Sequence, residues 1–421
     1  MVYKLLKFSL NNGGKYLSDI CIEMFPARCG DCFLVRLSNG KNIVIDMGYK
    51  DTYINFFKNR LIQLKEKGEC IDLLIITHID EDHIEGAIEF IKENGNINNP
   101  QIIEVKEVWH NSYRHLQFDK EKINEISDEE KLILKNIINS KQDKEKYLNK
   151  ENDSISAVQG STLSGYLYKY GYLKDIWNKS FDSNSINLEY KNIINLDDIR
   201  FRILSPNTNK LKKLAKFWYR ELKRSKLGFN LSNEKIFDDA YEMYIMNLIE
   251  NLEQDEYQNI SYNNKKSKSL KEIIKHEIVQ NSKDKSKSNG ASIAFILEYK
   301  GKKLLFLGDS HEDIVVDEIK KYGIFEFDLV KVSHHGSIKN NYEWLDLIKS
   351  DRYLISTNGE KHNHPDNEFI AKLILSNHNQ KKLYFNYDLY ICSELESLRI
   401  EKNYDYNIEI GNGNNPIKIK I

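Results

Sequence analysis

Three shortages bound what this chain of 421 residues can be. No run approaches the ~18 apolar residues of a membrane-spanning helix, and the apolar block at the N-terminus, M-V-Y-K-L-L-K-F-S-L-N-N, is too short for a secretory signal. A soluble, cytoplasmic protein with no membrane partner is expected. An excess of charge of one sign is also missing: 62 Lys and Arg face 63 Asp and Glu, a net of −1, so any surface attracting nucleic acid has to be local. Cysteine is scarce, and its five positions are an odd number, which fits free thiols in a reducing compartment. Cys29 and Cys32 form a C-x-x-C with no second pair, so burial is expected there rather than a zinc ribbon. The length admits two or three average domains, or one two-sheet enzyme with an insertion.

The informative stretch runs from Leu73 to Gly86, L-L-I-I-T-H-I-D-E-D-H-I-E-G. Its four leading apolar residues suit a strand buried on both faces. Ile84, Ala87, Ile88 and Ile91 then recur at helical spacing, and Gly95 stands where a helix stops. Between strand and helix, His78, Asp80, Asp82 and His83 converge in a loop of six residues. Four ionisable groups so close repel or desolvate one another unless a cation joins them, so this pattern predicts a metal site.

The rest of the chain repeats one plan. Phe33–Leu37 and Lys41–Ile45 flank Ser38-Asn39-Gly40, a hairpin signal, and Asp46 ends the second strand. Ile293–Tyr299 and Lys303–Leu307 flank Lys300-Gly301 in the same way, ahead of Gly308-Asp309. F-D-L-V-K-V-S-H, ending at His334, parallels I-D-L-L-I-I-T-H, ending at His78. Two related β-rich halves are expected, residues 1–110 and 289–421, each delivering ligands at strand ends. Between them, residues 111–288 are expected to form a mostly helical insertion. It would carry a helical pattern at Glu121–Lys150, a strand ended by Pro206, a helix over Leu211–Leu222 and a Lys/Ser-rich loop at 259–288. That loop holds eight lysines against three acids; it reads as a solvated loop or as an arm that grips a phosphate backbone.

T-H-I-D-E-D-H-I-E-G resembles the H-x-H-x-D-H signature of the metallo-β-lactamase superfamily, in the variant with Asp in place of the middle His. That variant is similar to the hydrolase domain of the competence DNA-uptake channel (ComEC-type) and its stand-alone relatives. G-D-C-F-L-V, V-I-D-M-G, N-G-A-S-I-A-F, L-F-L-G-D, V-S-H-H-G-S and a later H-P at His364 agree in order. The resemblance implies an α/β fold: a four-layer αββα sandwich, interrupted here by the long insertion.

It also implies roles. His78, Asp80 and a bridging Asp309 would hold one metal; Asp82, His83 and His335 would hold the second. His335, directly before glycine, matches the family's later metal histidine, so His334 would support it or face substrate. The third-motif histidine is missing, with Asn289–Ser292 in its region, and the oxygen-rich set that remains favours manganese or magnesium, with zinc possible. Asp82 could accept a proton from the attacking water, and His364 could serve as general acid. Asp46 would fix the ligand loop. Asn289 and His110 could support ligands or touch substrate. A nuclease with two divalent metal ions follows, with nucleic acid as substrate, a possible protein partner and, as in some stand-alone relatives, a role in anti-phage defence. The alternatives are a hydrolase of small esters or phosphodiesters (a phosphocholine ester, a cyclic nucleotide or a lactone) and a metal-containing regulatory subunit. Oligomeric state is open.

Overall fold

Alternation in the strands decides the layering. Phe33 and Val35 turn one way and Leu34 the other; Ile43 and Ile45 oppose Val44, and Leu73 and Ile75 oppose Leu74, yet both sets are buried. Strands apolar on both faces require cover on both faces, and here one face meets a second sheet while the other meets helices. The computed structural model describes residues 18–116, 118, 163–173, 175–224, 268–376, 380–402 and 404–421.

In chain order the strands are β1 (Ile20–Met24), β2 (Cys32–Leu37), β3 (Asn42–Met47), β4 (Leu73–Ile75), β5 (Val108–Trp109), β6 (Ile193–Leu196), β7 (Ile199–Ser205) and β8 (Ala294–Tyr299). They continue with β9 (Lys302–Phe306), β10 (Glu326–Phe327), β11 (Leu329–Lys331), β12 (Lys349–Ser350), β13 (Arg352–Ile355), β14 (Lys381–Phe385), β15 (Tyr406–Ile410) and β16 (Ile417–Lys420). One sheet has the order β16-β1-β2-β3-β4-β5 and the other β15-β14-β13-β11-β9-β8-β7-β6, with β10 and β12 paired apart. β3, β4 and β5 run parallel, as do β9, β11 and β13, so each sheet presents a row of carboxyl ends.

Between the sheets lie Ile22, Phe33, Ile45 and Leu73 from the first and Phe201, Phe295, Phe306 and Leu354 from the second. Outside the first sheet, the helix Glu81–Asn94 buries Ile84, Ala87, Phe90 and Ile91. Outside the second, the helices Glu312–Tyr322 and Asn367–Leu375 bury Val315, Ile319, Ile370 and Leu373. The result is the expected α/β sandwich of four layers, αββα.

The expected hairpins are present. β2 pairs antiparallel with β3, and β8 with β9, the second through Lys300 and Gly301, both at positive φ (48° and 78°). The helix after His78 ends at Gly95, whose φ is +67°.

The span 111–288 shares in the sheet of the second half: β7 lies between β6 and β8, adding two strands to that edge, and stops at Ser205 just before Pro206. A helix follows at Thr208–Arg224. The helical pattern expected at residues 121–150 lies outside the described residues. Among the described residues, no helix is long and apolar enough to cross a membrane. Cys29 and Cys32 are buried free thiols, as expected of the lone C-x-x-C.

Candidate metal centre

The two rows of carboxyl ends meet, and the loops leaving them carry the ionisable groups. The loop after β4 brings His78 and Asp80, and the first turn of the helix Glu81–Asn94 brings Asp82 and His83, which sequence alone places in the loop; β9 leads to Asp309, β11 to His334 and His335, β13 to His364. A backbone bond ties the rows together, Ile293 donating to the Thr77 carbonyl (2.9 Å), and within the second row His334 donates to that of Gly308 (3.0 Å). Two glycines permit close approach. A Cβ on Gly30 would meet the Asp82 carbonyl oxygen at 1.8 Å, and one on Gly86 the Met47 carbonyl oxygen at 2.1 Å.

At the centre stands the Asp309 carboxylate, 3 % exposed. Oδ1 lies 3.6 Å from His83 Nε2, and Oδ2 lies 3.6 Å from His335 Nε2 and 3.8 Å from His78 Nε2. Asp80 is 3.5 Å from His78 Nε2, and Asp82 is 3.5 Å from His335 Nε2. These separations are long for hydrogen bonds. They approach the ~3.4 Å edge between two donors sharing one cation at bonds of ~2.0–2.2 Å. The Nε2 atoms of His78, His83 and His335, and Oδ1 of Asp309, are all buried without a hydrogen-bond partner. Buried polar atoms are rarely left so, and a shared cation would satisfy all four.

The tautomers agree. His83 donates from Nδ1 to Asp46 (2.8 Å), and His335 donates from Nδ1 to the Ser356 carbonyl (2.8 Å). The Thr77 hydroxyl spends its hydrogen on Asp46 (2.7 Å), so it can only accept from His78 Nδ1 (3.0 Å). In its neutral form each ring therefore turns an Nε2 lone pair inward, as a metal-binding imidazole must. Asp46, held at a φ of +53°, also accepts the Thr77 backbone N–H (2.7 Å).

Among the described residues, three groups have donor atoms mutually within 4.8 Å: His78–His83–Asp309, Asp82–His83–His335 and Asp31–Asp46–His83. The third plays a different part, since Asp46 is taken by His83 Nδ1 and Asp31 pairs with the buried Lys331 ammonium. Lys331 also donates to the Gly308 carbonyl (3.2 Å), beneath Asp309. Burial opposes charge throughout, but the groups overcome it together. The carboxylates of Asp309 and Asp46 push His83 well above the ordinary imidazole range; His335, His83 and His334 hold Asp309 well below that of a carboxylic acid. His78 and the Ser288 hydroxyl lower Asp80 against the same burial.

His78, Asp82, His83, Asp309 and His335 thus converge, with Asp80 beside His78. His334 is at the rim, its side chain 23 % exposed and its Nε2 3.9 Å from Asp309 Oδ2. His364 lies beyond it, ring centroids 5.1 Å apart, with Nδ1 anchored on Asp366 at 3.0 Å. Asn289 donates to Asp284 (2.8 Å). His110 is fully buried with its ring stacked on Trp177, so it presents no surface to a substrate. Sequence reasoning missed Asp31, Lys331, Asp284 and Lys361, the last with its ammonium 4.0 Å from Glu81 beside the ligand loop. Lys331 had a signal, a lone charge in the apolar run D-L-V-K-V; Asp284 had none, being one acid among lysines.

No curated protein matches the chain. Among solved structures, one of a CmlA beta-hydroxylase mutant is similar at 10 % identity and a TM-score of 0.35, the match covering 96 % of this chain and 54 % of that one. This chain therefore spans about half the length of that structure. A protein of unknown function from Enterococcus faecalis V583 is similar at 10 % identity and a TM-score of 0.26, covering 93 % of this chain and 77 % of its own. Residues 28–150 match the family described as the Metallo-beta-lactamase superfamily. That match, the two facing sheets and a His/Asp cluster able to hold a metal ion at their joined edge together support a metallo-β-lactamase superfamily domain in this chain.

Proposed function

We propose that the chain is a metal-dependent hydrolase of phosphodiesters, and specifically a nuclease. One observation carries the reading: three buried imidazoles, each fixed in the tautomer that points Nε2 inward, surround one buried carboxylate. His78, Asp80 and Asp309 would hold one divalent cation, and Asp82, His83, His335 and the same Asp309 a second. Such a pair supplies a water acidic enough to attack at neutral pH and neutralises charge on a phosphoryl group.

The chain's own residues do the rest. Asp46, Ser356 and Thr77 hold the three rings so that no reorganisation is needed when the substrate arrives. Asp82 takes the proton of the attacking water. His364, oriented by Asp366 at the rim, gives a proton to the leaving oxygen. Lys361 offers positive charge to the phosphate beside the ligand loop. The oxygen share among the ligands favours manganese or magnesium over zinc. Resemblance to stand-alone relatives of the competence branch extends the role to anti-phage defence.

The test is cleavage of labelled single- and double-stranded DNA and RNA by metal-stripped protein resupplied with manganese, magnesium or zinc, beside Asp82→Asn. Manganese-stimulated cutting, reduced at least a hundredfold in the variant, is expected. No cutting of any nucleic acid, with turnover of a small phosphodiester retained, would overturn the nuclease assignment and leave the metal chemistry standing.

A further inference from the structure

The helix Thr208–Arg224 carries more charge of one sign than its own fold uses. Its 17 residues hold seven Lys and Arg against one acid, Glu221, a local net of +6 in a chain whose net is −1. The first turn has no acid, and Lys216 stands three residues after Lys213 and four after Lys212. Both features oppose the helix, because cations are unfavourable near a helix N-terminus and like charges at these spacings repel.

Packing does not account for them. Leu211, Leu214 and Trp218 turn inward, each at most 2 % exposed, while Lys212, Lys213 and Lys216 are exposed. Lys210 is spent within the fold, donating to His311 Nδ1 (2.9 Å) and to Asp313 (3.0 Å). Among the described residues, neither Lys212 nor Lys213 pairs with a carboxylate.

The helix lies beside the metal ligands. It packs against the short helix Lys287–Gly290, whose Ser288 lies against Asp80, and Lys210 ties its first turn to the segment leaving Asp309. Lys287 in that short helix and Lys285 just before it are exposed, and they too have no carboxylate partner among the described residues. A helix is about 10 Å wide, the rise of about three nucleotides in one strand of a duplex. A backbone cleaved at the ligands therefore reaches these lysines within a few phosphates.

We propose that the exposed face of the helix Thr208–Arg224, with Lys285 and Lys287, is the docking surface for the phosphate backbone of a nucleic acid, so that the natural substrate is a polymer. This deepens the nuclease reading above and rests on it for the place of cleavage. An anionic membrane would attract the same lysines, but a helix lying on a bilayer must sink its apolar face into the lipid, and here that face is in the core.

The experiment is fluorescence anisotropy of a labelled oligonucleotide, single- and double-stranded, titrated with the full chain over a range of salt. Manganese is present and every protein carries Asp82→Asn, so that binding is read without cutting; thermal unfolding checks each fold. Five phosphate contacts predict a slope of log affinity on log salt of about −3.5 for the single strand and about −4.5 for the duplex. Lys212→Gln/Lys213→Gln/Lys216→Gln should flatten the slope by about 2–3 and weaken binding at least tenfold near physiological salt, and the matching arginine variant should keep both. Lys285→Gln/Lys287→Gln should flatten it by about 1.5, which carries the test if the first variant does not fold. Lys320→Gln/Lys321→Gln/Lys349→Gln, which removes the same charge from exposed positions elsewhere, should leave the slope as in the parent. An unchanged slope in the glutamine variants, an equal loss in the arginine variant or the control, or tighter binding of the parent to phosphatidylserine vesicles than to either oligonucleotide would overturn the assignment. The expected loss of slope, with no cutting of nucleic acid by wild type, would bring down the nuclease reading alone; cutting with an unchanged slope would bring down this surface alone.

Discussion

At the scale of single residues, sequence type located the groups that converge on Asp309 but could not separate a histidine that joins the cluster from one that packs elsewhere. His78 and His335 follow strands closely, and so does His110, yet His110 is enclosed against Trp177. Burial pushes its pKa down to about 4 from an ordinary value of 6.5. The folded state therefore resists a proton that the unfolded chain accepts. Stability from the neutral ring is present above pH 6.5 and is lost as pH falls towards 4, by about 3 kcal/mol at most. His110→Phe, which keeps an aromatic ring against Trp177, should gain on wild type in urea unfolding as pH drops from 7 to 4.5. Parallel stability profiles would contradict this placement. The pairing of Asp31 with Lys331 was illegible for a related reason: a buried ion pair in mostly apolar segments is defined by the partner across the fold, and the partner is 300 residues away.

At the scale of elements, local signals worked wherever the chain's own neighbours decide the outcome. The β2–β3 and β8–β9 hairpins and the helix stop at Gly95 follow from turn and cap chemistry a few residues long. Composition told only part of the story at 268–288, where the lysines are all exposed as a solvated loop requires. Its lysines and serines suggest a solvated loop, but Leu270 is fully buried, Ser269 and Glu272 form a capping box, and Lys271 pairs with Glu401 at 2.6 Å. Lys283 pairs with Glu343, so part of the proposed phosphate-gripping charge is spent within the fold; Lys265 and Lys266 lie outside the described residues. Packing of the ligand helix against its sheet depends on Gly86, which also donates its N–H to the Gly48 carbonyl at 2.8 Å. Gly86→Ala would press a methyl into the Met47 carbonyl oxygen, 2.1 Å away, so the helix has to shift. A loss of about 1–3 kcal/mol in chemical unfolding is expected despite alanine's better helix propensity. Unchanged or raised stability would show that helix and strand are not in such close contact.

At the scale of the whole molecule, the fold exists to bring two rows of strand ends face to face. Neither half holds the site alone: His78, Asp80, Asp82 and His83 come from the first sheet, Asp309 and His335 from the second. The repeated strand–turn–strand plan made two such halves legible, and motif order made their shared edge legible. What sequence left out was that β6 and β7 extend the second sheet, because the pairing of distant strands depends on which edge is free. The central claim is that Asp309 joins the halves through divalent cations that hydrolyse a phosphodiester. The measurement that tests it most directly is hydrolysis of bis(p-nitrophenyl) phosphate by metal-stripped protein as manganese is added back, in wild type and in Asp309→Ala. The account predicts activity that is absent without metal, rises with added manganese and stays at least a hundredfold lower in a folded Asp309→Ala. Full turnover by metal-free wild type, or by the variant, would contradict it.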